Sequence, residues 1–205
     1  MQQYKTINMK LILLVVLIYF SISTNSWSKS NQNNIENFDK LFPFVINNIQ
    51  YNKKMKTIKY RGGLITFDIP QNWIEEYEKD GGGTFYEDNP SSGTLRVNVL
   101  TVDNSGKDDI KSPEDLFLMK KQNAIDFKES FNQKGDKIFQ YLNRTTENNI
   151  QISLYSFACI HKTEQMDYLI AIFTWTIETR YENDKNYILY LKMIQENISK
   201  IKFGR

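Results

Sequence analysis

The chain of 205 residues contains one cysteine and one histidine, and the two lie close together as Cys159 and His161. A thiol beside an imidazole can act as a nucleophile, because the imidazole takes up the thiol proton. Two positions apart on an extended strand, both side chains point to the same face, but they point in parallel, which does not favour contact between nucleophile and base. We therefore expect core packing for Cys159, and we keep a thiol-dependent hydrolase using Cys159 and His161 as the alternative.

The same two counts exclude several kinds of site. A single cysteine excludes an internal disulfide framework and a cysteine-based zinc cluster, and a single histidine excludes multi-histidine metal sites. The oxygen-rich segment 103–109 places Lys107 among its donors, which does not fit a calcium loop. The sequence predicts no catalytic residue, no metal and no cofactor, and it leaves the binding residues unknown.

Three further patterns have structural explanations. Carboxylates cluster at residues 75–78 and again at residues 108–115, where solvated charge at turns and helix starts is sufficient. Gly81–Gly83 leads into a strand-like run and not into the helix of a phosphate loop, so we interpret it as a flexible turn. Trp73 and Trp175 could form an exposed aromatic patch, but the strand pattern around Trp175 favours the core.

The N-terminal residues have the pattern of a secretory signal peptide. Lys5 and Lys10 precede an apolar run over 11–20, and small residues follow up to Ser28. The run is shorter than the roughly 20 apolar residues of a membrane span. We predict a signal peptide over residues 1–28 with cleavage at Ser28, and a periplasmic or extracellular protein. An uncleaved signal anchor, which would make a membrane-tethered accessory protein, and a buried N-terminal helix remain the alternatives.

Removal of this segment changes the charge balance. The chain has 26 Lys and Arg and 24 Asp and Glu. Residues 1–28 contain Lys5 and Lys10 and no acidic residue, so the remainder has 26 − 2 = 24 basic and 24 acidic residues. A neutral domain is not steered towards nucleic acid or an anionic membrane. We therefore expect another protein as the partner, and no nucleic acid.

The rest of the chain divides into a polar leader over 29–56 and a domain over 57–205. The leader is rich in Asn, Gln and Lys, with one apolar patch at 41–46. Alternation and turn residues in the domain predict strands, two of them joined as a hairpin by 61–63. The predicted strands are Thr57–Tyr60, Leu64–Ile69, Thr84–Glu87, Thr94–Val102, Lys137–Arg144, Ile150–His161 and Met166–Thr179.

Two helices are predicted, together with a turn or short helical piece over 72–77. Ser112 and Pro113 form a helix start, and apolar residues at roughly helical spacing extend that helix to Phe131. An amphipathic pattern predicts the last helix over Glu182–Ile201. Few helices and antiparallel strands together predict an α+β domain, with helices laid over an antiparallel sheet. The pattern leaves open whether the strand face with Arg96 and Asn98 is a binding surface or is covered by a helix.

Three segments resemble known domains. They are Gly63–Trp73, in which a strand ends at a proline and a tryptophan follows, Thr84–Glu87 and Gly93–Val99. This arrangement is similar to the PsbP, DcrB and Mog-type superfamily, over about residues 57–203. The resemblance implies an α/β/α sandwich around an antiparallel sheet.

The resemblance also implies a non-catalytic scaffold used for contacts with other proteins. It supplies no catalytic residues, and many bacterial members are exported or lipid-anchored proteins of unknown function. This chain has no cysteine near the apolar run of its presequence, unlike the lipid-anchored members. The expectation is thus an exported, non-enzymatic protein-binding or accessory domain.

Overall fold

A computed structural model describes residues 54–79, 81–89, 92–102, 112–164 and 167–204. The predicted signal peptide over 1–28, the leader up to residue 53 and the oxygen-rich segment 103–109 lie outside the described residues. The described elements are ten strands and two helices. The strands are β1 (Met55–Tyr60), β2 (Ile65–Pro70), β3 (Ile74–Tyr77), β4 (Gly83–Tyr86), β5 (Thr94–Val102), β6 (Asp126–Phe131), β7 (Lys137–Glu147), β8 (Ile150–Lys162), β9 (Tyr168–Glu178) and β10 (Lys202–Phe203). The helices are α1 (Pro113–Lys120) and α2 (Lys185–Ile198).

The strands form two antiparallel sheets. Seven strands make the large sheet in the order β3-β4-β5-β9-β8-β7-β6, and three make a small sheet in the order β1-β2-β10. β8 and β9 are paired over eleven residues, and β5 joins β9 on its other side. The long strands are therefore at the centre of the large sheet and the short strands β3 and β6 are at its edges.

The main core lies on one side of the large sheet, which we call the inner face. Alternate residues of β5, such as Leu95, Val97 and Val99, point into it, as a strand with one buried face requires. The small sheet and α2 cover this face. From α2, the buried residues are Tyr187, Tyr190, Leu191, Met193, Ile194 and Ile198, which lie on one side of the helix.

The opposite side of the large sheet, which we call the outer face, is covered only in part. Phe117 of α1 stacks on Phe139 of β7 with ring centroids 5.7 Å apart. A second, smaller core forms around this contact and includes Val102, Ala158, Ile160 and Ile170. Arg96 and Asn98 of β5 lie outside it and are exposed. The described helix that packs on the outer face thus leaves the Arg96 side of the face open.

The first predicted helix is wrong beyond Lys120. Lys121–Asn123 form a turn, and Asp126–Phe131 is a strand paired with β7. The phenylalanines at 127 and 131 are four residues apart, a spacing that places them on one side of a helix and also on one face of a strand. Pairing with a distant strand decided between the two, and periodicity could not.

Residues 72–77 are also not the predicted turn or short helical piece. Ile74–Tyr77 is a strand that forms a hairpin with β4. At the other end of the domain, the last helix is shorter than predicted and is followed by β10, which pairs with β2. The α+β architecture with antiparallel strands is confirmed, but helices flanking the sheet are confirmed only in part, because β1, β2 and β10 provide much of the cover of the inner face. Within the described ranges, no helix has the length and apolar character to cross a membrane.

Candidate functional site

Cys159 lies on the inner face of β8, within the main core. Its side chain is fully buried, and the Nδ2 atom of Asn132 lies 3.8 Å from its sulfur. Burial raises the pKa of the Cys159 thiol from its ordinary 9.0 to about 12, and the nearby carboxylate of Asp136 adds to the shift. A thiol in this setting stays protonated at neutral pH, so it is a poor nucleophile.

His161 follows on the same face, as the strand pattern predicted, but it has other partners. Its Nδ1 atom is 2.8 Å from an Asp136 carboxylate oxygen, and its ring stacks on Phe203 with centroids 4.7 Å apart. Asn132 donates to the second oxygen of Asp136 and accepts from the backbone N–H of residues 134 and 136. The group closes the β6–β7 hairpin against β8 and β10. In the described structure no hydrogen bond joins the Cys159 thiol to the His161 ring.

Glu75 and Asp115, one carboxylate from each of the two clusters, have structural partners. Glu75 accepts from the Tyr77 hydroxyl and pairs with Lys56 at 2.7 Å, and these contacts lower the pKa of Glu75. The Asp115 carboxylate accepts from the backbone N–H of Ser112 at 3.1 Å and completes a capping box at the start of α1. Asp115 is at a helix start, as expected, whereas Glu75 lies within strand β3 and not at a turn.

The three glycines and two tryptophans also have structural roles. Gly81 has a φ of 93° and its N–H bonds to the carbonyl of Glu78, which confirms the predicted turn between β3 and β4. Trp73 and Trp175 are both buried. Trp175 donates to the carbonyl of Ser92 at 3.0 Å and stacks on Tyr187. The exposed aromatic patch is thus excluded for both tryptophans.

The cavity found among the described residues is too small for a small-molecule ligand, and these residues form no metal site. A cavity of about 10 Å³, which is room for about one water molecule, lies between β2 and α2 beside Phe67 and Met193. No group of three or more His, Cys, Asp or Glu side chains in the described ranges is placed to hold a metal ion. The surface of the large sheet is therefore the better candidate for a binding site.

The open part of the outer face carries a group of hydroxyl, amide and guanidinium side chains. Antiparallel register places Arg96 directly between Thr84 on β4 and Thr174 on β9. In the next row, Thr94 of β5 is opposite Thr176 of β9. We call this surface the hydroxyl patch and define it by Thr84, Thr94, Arg96, Asn98, Thr174 and Thr176. Arg96 and Asn98 are exposed and the four threonines are half-buried.

The edges of the hydroxyl patch are defined by side chains of different character. Tyr86 lies opposite Thr94, and its hydroxyl donates to a Glu76 carboxylate oxygen at 2.7 Å. Leu154 of β8 is opposite Thr176, and Ile172 is opposite Asn98; both are half-buried. The patch is therefore a mixed surface of polar side chains with apolar residues at its edge and one cation at its centre.

Sequence reasoning found part of this site and missed the rest. Alternation along β5 placed Arg96 and Asn98 together on the face opposite the core, which is confirmed. The four threonines were missed because strand order brings β4, β5 and β9 side by side from distant parts of the sequence. Thr174 and Thr176 alternate with the buried Phe173, Trp175 and Ile177, and that alternation was the signal that could have located them.

Comparisons with known proteins identify the fold. No protein-family model matches the chain, and no curated protein matches it. The solved structure of cyanobacterial PsbP from Synechocystis is similar with a TM-score of 0.51 and 12% identity, over 79% of this chain and 99% of that chain. LpqN of Mycobacterium tuberculosis, described as involved in cell envelope biogenesis, gives a TM-score of 0.48 at 10% identity, over 76% of this chain and 93% of LpqN.

A protein of Bacteroides thetaiotaomicron also has a similar structure, with a TM-score of 0.51 and 16% identity over 73% of this chain. This chain spans about half of the length of that protein, since 48% of the latter is covered. At these identities the likeness concerns the fold alone, and it agrees with the resemblance of the strand and loop motifs around Pro70 and Trp73. The chain has a PsbP-like fold.

Proposed function

We propose that this protein is an exported, non-enzymatic accessory domain that binds another protein through the hydroxyl patch. The observation that carries the proposal is that no described element covers the part of the outer face around Arg96. Arg96 is exposed on β5, which has four strands of the sheet on one side (β9, β8, β7 and β6) and the two short strands β4 and β3 on the other. The surface of a sheet suits contact with a protein better than capture of a small molecule, which needs a concave site.

The geometry around Cys159 supports a non-enzymatic role. A thiol nucleophile needs an accessible sulfur and a base in hydrogen-bonding reach. Here the sulfur is fully buried, its pKa is raised to about 12, and the Nδ1 atom of His161 faces Asp136. These contacts account for both residues as parts of the core and of a hairpin closure.

The proposed export rests on the basic and apolar pattern of residues 1–28. Mass spectrometry of the protein from the medium or envelope of a secreting host tests it, and we expect an N-terminus at Lys29 or within a few residues of it. Recovery of an intact terminus at Met1 or Met9 from the membrane fraction would instead support the uncleaved signal anchor.

The proposed binding face can be tested by site-directed photo-crosslinking in that host. A benzoylphenylalanine at position 98 lies on the hydroxyl patch, and one at position 59 lies on an exposed position of β1 in the small sheet. We expect an adduct with a distinct protein from position 98 and none from position 59. The partner is then purified, and we expect Asn98→Trp to weaken its binding while Lys59→Trp has no effect. No adduct from position 98, or the same adduct from both positions, contradicts the proposal.

A further inference from the structure

We propose that the hydroxyl patch recognises a carboxylate side chain on the partner protein, with Arg96 as the residue that binds it. This inference rests on the proposed function and adds the chemistry of the partner. The partner segment is acidic and lies across β4, β5 and β9.

The charge of the patch is the first argument. Among the described residues, the Arg96 guanidinium has no hydrogen bond or ion pair. Neither its own row, with Thr84 and Thr174, nor the adjacent row, with Thr94 and Thr176, supplies a partner for it. Glu76 is in the same row but two strands away, about 10 Å at the usual strand spacing, and it accepts from the Tyr86 hydroxyl. Among the described residues of these two rows, a partner's carboxylate would therefore meet one exposed cation, and the carboxylate of Glu76 is already engaged by the Tyr86 hydroxyl.

The donors around Arg96 are the second argument. A guanidinium presents five N–H groups in a planar fork and binds carboxylates through two parallel hydrogen bonds. Threonine hydroxyls flank Arg96 on both neighbouring strands, within the 4.5–5.5 Å Cβ separation of directly opposed residues. Each hydroxyl can donate one further hydrogen bond to an acidic group held by Arg96. The register of the sheet thus places three donor side chains, those of Thr84, Arg96 and Thr174, side by side on adjacent strands.

The surroundings of the patch are typical of a protein interface. Arginine and tyrosine are enriched in interface centres, and Arg96 and Tyr86 lie in adjacent rows here. The half-buried Leu154 and Ile172 supply apolar area at the edge. The partner therefore needs apolar residues beside its acidic residue.

The same observations disfavour two other occupants. A second copy of this chain packing face to face around a two-fold axis at the patch would bring the two Arg96 side chains together, and like charges in contact are unfavourable. An anionic membrane is usually bound by a cluster of four to eight basic residues, whereas the patch has one. A partner with a carboxylate fits the single cation.

A random peptide display library provides a test that does not require a known partner. The folded wild-type domain is used as bait, and the Arg96→Glu variant is used in parallel. We expect the wild type to select peptides enriched in Asp and Glu next to apolar residues, and Arg96→Glu to lose these peptides and select Lys or Arg instead. Lys59→Glu makes the same change of charge on the small sheet and is the matched control, so it must select the wild-type peptides.

A selected peptide is then titrated against each variant. We expect Arg96→Gln and Arg96→Glu to weaken binding by about tenfold or more, with Lys59→Glu unchanged and with circular dichroism showing that all variants are folded. The same acidic peptides selected by wild type and Arg96→Glu would overturn the inference. Arg96-dependent binding to phosphatidylglycerol vesicles without any acidic preference among peptides would also overturn it, in favour of a membrane.

The outcomes separate this inference from the proposed function. Peptides that bind the outer face and are displaced by Asn98→Trp, but have no acidic preference, leave the protein-binding function intact and refute the role of Arg96. Peptides that bind with equal affinity to wild type and Asn98→Trp place the binding surface elsewhere, which contradicts both.

Discussion

At the scale of single residues, the thiol and imidazole near the end of β8 illustrate how burial decides chemistry. Cys159 and His161 share a face of one strand, but their side chains point in parallel, which does not favour contact between them. Their nearest partners are different, because Asn132 lies at the sulfur and Asp136 lies at the ring. Although a cysteine and a histidine could react together, Cys159 and His161 instead contact Asn132 and Asp136, which close the β6–β7 hairpin.

This leads to a prediction about thiol reactivity. At pH 8, iodoacetamide should alkylate Cys159 in the folded protein much more slowly than in urea, because the sulfur is fully buried and burial raises the pKa of the thiol, so less thiolate is present. The rate is measured by mass spectrometry over time. His161→Ala should not slow the reaction of the folded protein further. Rapid alkylation that His161→Ala suppresses would instead support the thiol-dependent hydrolase.

A second prediction concerns Glu178, the last residue of β9, and Glu182, which follows β9 in the chain. Glu182 is 8% exposed, pairs with Arg144 at 2.7 Å and accepts from the buried Ser153 hydroxyl. Glu178 is 31% exposed and pairs with the exposed Arg180. We expect Glu182→Ala to lower the free energy of unfolding by about 1–3 kcal/mol, because it leaves buried polar groups with fewer partners. Glu178→Ala should cost about 0–1 kcal/mol, as is usual for an exposed pair.

Urea denaturation monitored by tryptophan fluorescence gives both values. Equal losses for the two variants would contradict the importance of burial at Glu182. A greater loss for Glu178→Ala would contradict it as well.

At the scale of elements, the strands owe their positions to turns and to side chains that fill the space between them. Gly93 stands at the start of β5 with a φ of 70°, and a Cβ there would lie 2.4 Å from the Trp175 ring nitrogen and 2.8 Å from the Thr176 carbonyl oxygen. Gly62, in the turn between β1 and β2, has a φ of 71° and open space around it. The two glycines have the same backbone conformation and differ in their surroundings.

Alanine at each glycine therefore separates backbone strain from packing. Gly62→Ala should cost about 1 kcal/mol for the left-handed backbone. Gly93→Ala should cost about 1–3 kcal/mol more, because the new methyl group clashes with a buried ring and a backbone oxygen and disturbs the bond from Trp175 to Ser92. The difference in urea midpoint between the variants measures the packing contribution, and no difference would refute it.

At the scale of the whole molecule, stability should be highest in the middle of the large sheet. β8 and β9 have strands on both sides and are buried on most of the inner face, while β3 and β6 have a strand on one side only. In native-state hydrogen exchange we expect the slowest amides in β8 and β9 and the fastest strand amides in β3 and β6. Equal protection of β6 and β9 would contradict this distribution. If β8 and β9 are the slowest to exchange, the hydroxyl patch, on β4, β5 and β9, lies partly on one of the most stable strands.

The sequence by itself determined the features that depend on residue type and local spacing. The counts of cysteine and histidine limit disulfides and metal sites. Alternation locates seven of the ten described strands and places Arg96 and Asn98 opposite the core, and Ser112 with Pro113 marks the start of α1. The motifs around Pro70 and Trp73 indicated the PsbP-like fold. These features could be predicted because each depends on neighbours in the chain.

Only the tertiary structure decided the features that depend on partners distant in the chain. Pairing with β7 made Asp126–Phe131 a strand, since its phenylalanine spacing also fits a helix. Strand order brought the threonines of β4 and β9 to the two sides of Arg96, and α1, the described helix on the outer face, does not extend over that part. Hydrogen bonding between distant strands and the packing of helices are long-range effects, and local periodicity contains no information about which strands become neighbours.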